Sequence, residues 1–380
     1  MLVRTLFCCM LCGSFCAPAL AENWPQWRGP RHDGISAEKS VPTTWSKTEN
    51  VRWRSELPGQ GGATPVIWGD RIFVTSARGD DLVLFCISCQ DGRKLWEQSV
   101  TTGNKDARAG EGNSASPSPV TDGEHVWVFF GTGTLACYDV AGKEVWKFQV
   151  GDRFGTIDIQ FGMTSTPVLD GDGLYLQLIH GPMKRDDDTR VGKVIKLDKR
   201  TGKTVWEHDR ITRADYECKH SYASAFLYND GHRKFLVAHG ADCTTGHDLE
   251  TGEELWRLDQ LNGPSRFSQK HDSTYRFVAS PAVADGLVGH PLFTRSYTRE
   301  VVEPALARGA ERSGRSTPPI AGYLTCSVAS DSDLARNNAR AIVAFNSTVK
   351  TYRVIHRHHG FEEQAERVRA AWGAGDFEAM

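Results

Sequence analysis

The chain has 380 residues, 45 basic against 47 acidic side chains and a net charge of −2. That balance excludes a strongly basic binder of nucleic acid or anionic membrane, and the length allows one large or two to three medium domains. Ten of eleven tryptophans lie between Trp24 and Trp256, and after residue 287 the lysines shrink to Lys350 while arginine stays plentiful. The break predicts a domain boundary near residue 287.

Residues 1–21 read as an export signal. Arg4 gives the positive start, Leu6 to Phe15 the apolar stretch, and Ala19-Leu20-Ala21 a cleavage site before Glu22. The run is too short to remain as a spanning helix. The expectation is a periplasmic or secreted chain, cleaved after Ala21, with no membrane span once mature. Cys8, Cys9, Cys12 and Cys16 would leave with the signal, so that Cys86, Cys89, Cys137, Cys218, Cys243 and Cys326 remain. Cys86 and Cys89 form a C-x-x-C inside the strand-like run from Leu82. Residues three apart on a strand face opposite sides, and no second pair or following His supports zinc or haem. Buried strand cysteines are expected there. A Cys218–Cys243 bridge stays open.

From residue 22 to 287 the chain repeats itself. Five starts carry a small residue, usually followed by Pro, before an apolar one: Thr64-Pro65-Val66, Ser118-Pro119-Val120, Thr166-Pro167-Val168, Ser224-Ala225-Phe226 and Ser280-Pro281-Ala282. A turn follows four of them, as at Gly69-Asp70 and Asp122-Gly123, then an apolar strand such as His125–Phe129. Another strand precedes a glycine that stands four residues before a tryptophan: Gly92 and Trp96, Gly142 and Trp146, Gly202 and Trp206, Gly252 and Trp256. Four short strands per unit, with tight turns and no helical period, are the blade of a β-propeller. The glycine permits the tight turn. The tryptophan can wedge one blade against the next, burying roughly 150–250 Å². These eight residues are therefore expected to be structural blade-docking positions.

The repeats resemble the quinoprotein-like (PQQ-like) β-propeller family, whose docking motif reads A-x-D-x-x-T-G-x-x-x-W. Asp198 to Trp206 and Asp248 to Trp256 keep D-x-x-T-G-x-x-x-W. The repeat at Asp139 is one residue shorter, the first has Ser88 in place of Asp, and the leading Ala is absent from all four. The opening Trp24-Pro25-Gln26-Trp27-Arg28-Gly29-Pro30 resembles exported bacterial members. Dehydrogenases of this family resemble one another in an adjacent Cys-Cys pair against the quinone, a calcium held by acidic and amide groups, and an Asp base. The adjacent cysteines here, Cys8-Cys9, lie in the signal. Asp186-Asp187-Asp188 reads as a solvated loop, and His180, His220, His239 and His247 as structural groups at strand ends. No catalytic residue, metal or cofactor is therefore assigned, PQQ staying possible without its usual ligands. The resemblance implies an exported, non-catalytic binding or scaffold module that takes a protein or polymer partner through face loops, with no nucleic acid. The alternative is a quinone-dependent dehydrogenase.

Beyond residue 287 the expected elements are a helix over Thr298–Arg308, a strand over Tyr323–Val328, and helices from Asp331 to Phe345, Thr348 to His358 and Glu362 to Ala371. The words Ala284–Pro291, Val302–Leu306, Gly314-Arg315, Tyr352, His359–Phe361 and Glu366–Val368 resemble the C-terminal part of luciferase-like flavin- or deazaflavin-dependent oxidoreductases, which are TIM barrels. The expected class is all-β, an incomplete propeller of about four to five blades. A mainly helical α/β barrel fragment follows it, spliced on near residues 284–288. A remnant oxidoreductase is the third functional alternative.

Overall fold

The computed structural model of the chain describes residues 22–108, 112–184, 188–262, 273–274, 276, 280–281, 287–288, 295–314, 316–317, 320–321, 331–333, 340, 343–344, 347–348 and 353–376. The expected signal at 1–21, Asp186 and Asp187, residues 282–286 of the expected junction, Cys326, the expected strand Tyr323–Val328 and most of the expected helix from Asp331 lie outside them. The chain divides into two compact units, Met1–Val283 and Ala284–Met380.

The first unit holds four four-stranded antiparallel sheets in simple chain order. The first is β1 (Val66–Trp68), β2 (Arg71–Arg78), β3 (Asp81–Ser88) and β4 (Lys94–Thr101). A small hairpin, β5 (Asp106–Arg108) with β6 (Gly112–Asn113), leads to the second. That sheet is β7 (Val120–Thr121), β8 (His125–Phe129), β9 (Thr134–Asp139) and β10 (Glu144–Gln149). The third is β11 (Val168–Asp170), β12 (Gly173–Leu178), β13 (Arg190–Asp198) and β14 (Thr204–Ile211). The fourth is β15 (Phe226–Asn229), β16 (Lys234–Gly240), β17 (Cys243–His247) and β18 (Glu254–Asp259). These are four propeller blades. A short helix, Val150–Phe154, follows β10 without a side-chain cap, which is why no helix signal precedes it.

A blade's middle strands bury both faces, because each sheet is sandwiched between neighbours. In the first blade, Phe73, Leu82, Leu84 and Cys86 join Val126, Val128 and Ala136 of the second in one core. Trp127, Phe129 and Leu135 of the second meet Leu174, Leu176 and Ile195 of the third. Tyr175, Val194 and Trp206 of the third meet Leu227, Leu236 and Ala238 of the fourth. Strand periodicity thus appears as near-continuous apolar runs with polar turns between them.

The D-x-x-T-G words close the turns between third and fourth strands. Asp198 Oδ1 accepts the N–H and the hydroxyl of Thr201, each at 2.7 Å, while Gly202 N–H donates to the Asp198 carbonyl at 2.8 Å. Asp248 makes the same turn with Thr251 and Gly252. One detail of the C-x-x-C differs from expectation. Only Cys86 lies on β3; the strand ends at Ser88, and Cys89 sits in the turn, its N–H bound to the Asp70 carbonyl.

In the second unit, Leu287–Val288 pairs in parallel with Ile320–Ala321. Between them run helical residues Arg295–Tyr297, a π-helical turn Thr298–Val302 and an α-helix Glu303–Ser313. Pro304 falls in the first turn of that α-helix, directly after the π-helical turn. Gly314 ends it in the left-handed conformation. Helices Arg353–His358 and Glu362–Ala374 follow, tied by Arg353 and Arg357 to Glu362 at 2.7 and 3.1 Å.

Candidate functional site

The repeat glycines and tryptophans meet across successive blades, not within one. Trp96 of the first blade lies on Gly142 of the second, where an added methyl would be 2.9 Å from the ring. Its Nε1 donates to the Val140 carbonyl at 3.0 Å. Trp146 lies on Gly202 and donates to Lys199 O at 3.1 Å. Trp206 lies on Gly252 and donates to Leu249 O at 3.2 Å. Gly92 receives Trp53, a residue outside the sequence pattern, whose Nε1 reaches Cys89 O at 2.8 Å. Trp256, last in the series, is 39% exposed and meets the edge of Phe235.

A second series runs along the blade starts. The N–H of Thr64 donates to Ser118 Oγ at 2.9 Å, that of Ser118 to Thr166 Oγ1 at 3.1 Å, that of Thr166 to Ser224 Oγ at 2.8 Å, and that of Ser224 to Ser280 Oγ at 2.9 Å. Ser118, Thr166 and Ser224 therefore each accept on the hydroxyl from the blade before and donate the N–H to the blade after. A hydroxyl is needed because these N–H groups are buried or half-buried and point away from any sheet partner. The sequence showed the five starts; it carried no sign of the bonds between them.

This ladder fixes the connectors just ahead of it, and they line an open cavity of about 530 Å³. Asn113 comes from the link between blades one and two, Gln160 and Phe161 from the next, Glu217 and Tyr222 from the one after, and Arg276 completes the wall. Arg276 organises it. Its guanidinium pairs with Glu217 at 2.8 Å and donates to Tyr222 Oη at 3.0 Å and Gln160 Oε1 at 2.8 Å. It also lies 5.4 Å from the Phe161 ring and 5.8 Å from that of Tyr222. Burial raises the Tyr222 pKa, so its phenol stays protonated. None of these residues was singled out from sequence, because they share no spacing.

The four histidines make framework bonds, His180 and His220 to connectors that include Gln160 of this cavity, His239 and His247 within the fourth blade. His180 Nδ1 accepts the Asp158 N–H at 3.3 Å, and burial pulls its pKa down to about 4. His220 accepts the Gln160 N–H on Nδ1 at 3.4 Å and donates from Nε2 to Gly181 O at 2.7 Å. His239 bonds Thr244 Oγ1 at 2.7 Å, and His247 bridges Gly252 O and Thr245 Oγ1. Burial lowers the pKa of all three. Neighbouring Arg210 is fully buried and donates to the Gly240 and Cys243 carbonyls and to Cys243 Sγ. Cys218 and Cys243 are buried and no disulfide joins them, so the bridge left open above is not formed. Asp188 pairs with Arg190 at 2.9 Å on an exposed loop. Among the described residues no group of three His, Cys, Asp or Glu could hold a metal ion, and no helix is long and apolar enough to cross a membrane.

The cavity's donor set does not fit a polycarboxylate quinone. Its guanidinium is already neutralised by Glu217, so a carboxylated ligand would meet a like charge with no further cation among the described lining residues.

Comparison with known proteins agrees with the repeat architecture. Among curated proteins, polyvinylalcohol dehydrogenase of Sphingopyxis is 24% identical over 200 residues, 49% of this chain and 28% of that protein. The uncharacterized protein Rv1360 of Mycobacterium tuberculosis is 35% identical over 105 residues, 26% of this chain and 30% of that protein. The chain thus spans under a third of the length of these relatives. Among solved structures, BamB from Moraxella catarrhalis aligns with a TM-score of 0.33 at 17% identity, over 56% of this chain and 68% of that one. A europium-containing methanol dehydrogenase aligns with a TM-score of 0.43 at 13% identity, over 63% and 49%. The family described as outer membrane protein assembly factor BamB matches residues 41–176 and 80–345. These matches cover well over half of the sequence, and the chain belongs to that family.

Proposed function

We propose that this chain is a non-catalytic binding module of the cell envelope, which holds a protein or polymer partner at the cavity around Arg276. The observation that carries the reading is the convergence of Gln160, Glu217 and Tyr222, from successive blade connectors, on one guanidinium. Such a wall offers fixed donors and acceptors for recognition. The surrounding histidines are held neutral in framework bonds, away from acid–base work. The family's description as an assembly factor supports a protein partner. In this reading Gly92, Trp96, Gly142, Trp146, Gly202, Trp206, Gly252 and Trp256 are docking elements that keep the connectors in register, and residues 1–21 direct export.

The test is to add quinone and calcium to the purified chain and follow dye reduction with alcohols, together with thermal unfolding. The reading expects neither dye reduction nor a rise in Tm. Dye reduction accompanied by a higher Tm would overturn it in favour of a quinone-dependent dehydrogenase.

A further inference from the structure

Trp53 does for the first blade what Trp96, Trp146 and Trp206 do for the second, third and fourth. Its ring covers Gly92 as Trp96 covers Gly142, and its Nε1 takes the Cys89 carbonyl as Trp96 takes that of Val140. It also packs on Val74, Val83, Phe85 and Ile87, the face of the first blade turned away from the second. The segment around it therefore stands where the fourth strand of a preceding blade would stand. Every other fourth strand pairs antiparallel with a third strand. From Val51 to Leu57, by contrast, no main-chain N–H or C=O is hydrogen bonded to any described residue. Among the described residues the segment has no sheet partner.

Its charges point to what would complete it. In each of the four blades the residue after the tryptophan is charged and paired, Glu97 with Arg78 and Glu207 with Lys193 across the sheet at 2.9 and 3.3 Å, Lys147 with Glu144 and Arg257 with Glu254 along their own strands at 2.8 and 2.5 Å. Arg54, after Trp53, has no such partner among the described residues, and neither has Arg52. Both are exposed, while Trp53 and Ser55 between and beyond them are half-buried. The two arginines thus share the face opposite Trp53, as alternation on a strand requires.

We infer that Val51–Leu57 is a docking edge for an extended acidic strand of another polypeptide, which adds antiparallel and sets carboxylates opposite Arg52 and Arg54. Main-chain bonds give such an addition its hold, and cross-strand charge pairs its register. An uncovered strand edge attracts chains indiscriminately unless charge selects among them, and two unpaired arginines make that selection. The site is separate from the Arg276 cavity, so each can fail without the other.

The experiment uses the full chain and fluorescein-labelled heptapeptides. TVEVEVT is expected to raise anisotropy on binding, while TVKVKVT is not. The charge-reversed double variant R52E/R54E, altered only at exposed positions, is expected to lose affinity for TVEVEVT by about tenfold or more and to gain it for TVKVKVT. A version of TVEVEVT with alternate amides N-methylated keeps its charge and is expected not to bind. Arg276→Met is expected to leave all of this unchanged. Absence of TVEVEVT binding, equal binding of both peptides, retention by the N-methylated peptide, or indifference to R52E/R54E would each overturn the proposal.

Discussion

Trp146, on the fourth strand of the second blade, lies flat against Gly202 of the third, and its Nε1 donates to the Lys199 carbonyl at 3.1 Å. Gly202 is buried at φ +66°, and a methyl group there would stand 2.8 Å from the indole. Two constraints therefore act on one position. The left-handed backbone disfavours any side chain, and the ring leaves no room for one. Gly202→Ala is expected to destabilise the first unit by about 2–4 kcal/mol, the sum of the backbone and overpacking costs. Gly309, exposed in a helix of the second unit with open space around it, gives the contrast. Alanine there is expected to stabilise its helix by up to about 1 kcal/mol. Urea unfolding of both variants checks the pair.

The position of a tryptophan in the series decides its weight. Trp206 is 8% exposed and wedged between blades, whereas Trp256 is 39% exposed. Trp206→Ala is expected to cost about 3–5 kcal/mol, and Trp256→Ala about 1 kcal/mol or less. Thermal unfolding followed by near-ultraviolet circular dichroism separates them.

The hydroxyl ladder makes a chemical prediction. Thr166 Oγ1 accepts the Ser118 N–H at 3.1 Å. Thr166→Val keeps the shape but orphans that donor, at a cost of about 1–3 kcal/mol. Thr166→Ser keeps the acceptor and is expected to lie closer to wild type. Amide exchange at Ser118, faster in the valine variant and little changed in the serine variant, reads the bond itself.

Acid should loosen the unit before it unfolds it. His180 and His32 have pKa values lowered from 6.5 to about 4 by burial, both accepting hydrogen bonds on a ring nitrogen when neutral. The unfolded chain therefore binds more protons between these values. The stability these groups contribute is complete above about pH 6.5 and is lost as pH falls towards about 4, each by on the order of 1–3 kcal/mol. His180→Asn retains an acceptor without the titration and is expected to flatten the fall in stability between these pH values. An unchanged slope would contradict the assignment.

The sequence exposes the repeat because turn glycines and indoles are rare and regularly placed, so Gly142, Trp146, Gly202 and Trp206 stand out before any coordinates. It hides the pairing: periodicity tells that a tryptophan recurs at a blade edge, not that it lands on the repeat glycine of the next blade. Trp53 is hidden for a related reason, since Glu49 stands where the repeat would place glycine. The Arg276 cavity is illegible for another. Gln160 and Arg276 are 116 residues apart, and the connectors that join them obey no shared spacing. Such a site exists only once the blades have stacked.

The direct test of blade-to-blade docking is a double-mutant cycle on Trp146 and Gly202. Removing the indole also removes what a methyl at Gly202 collides with, so Gly202→Ala in the Trp146→Ala background should cost only its backbone term, about 1 kcal/mol. A coupling energy of about 1–3 kcal/mol is predicted. Strict additivity of the two substitutions would contradict the account.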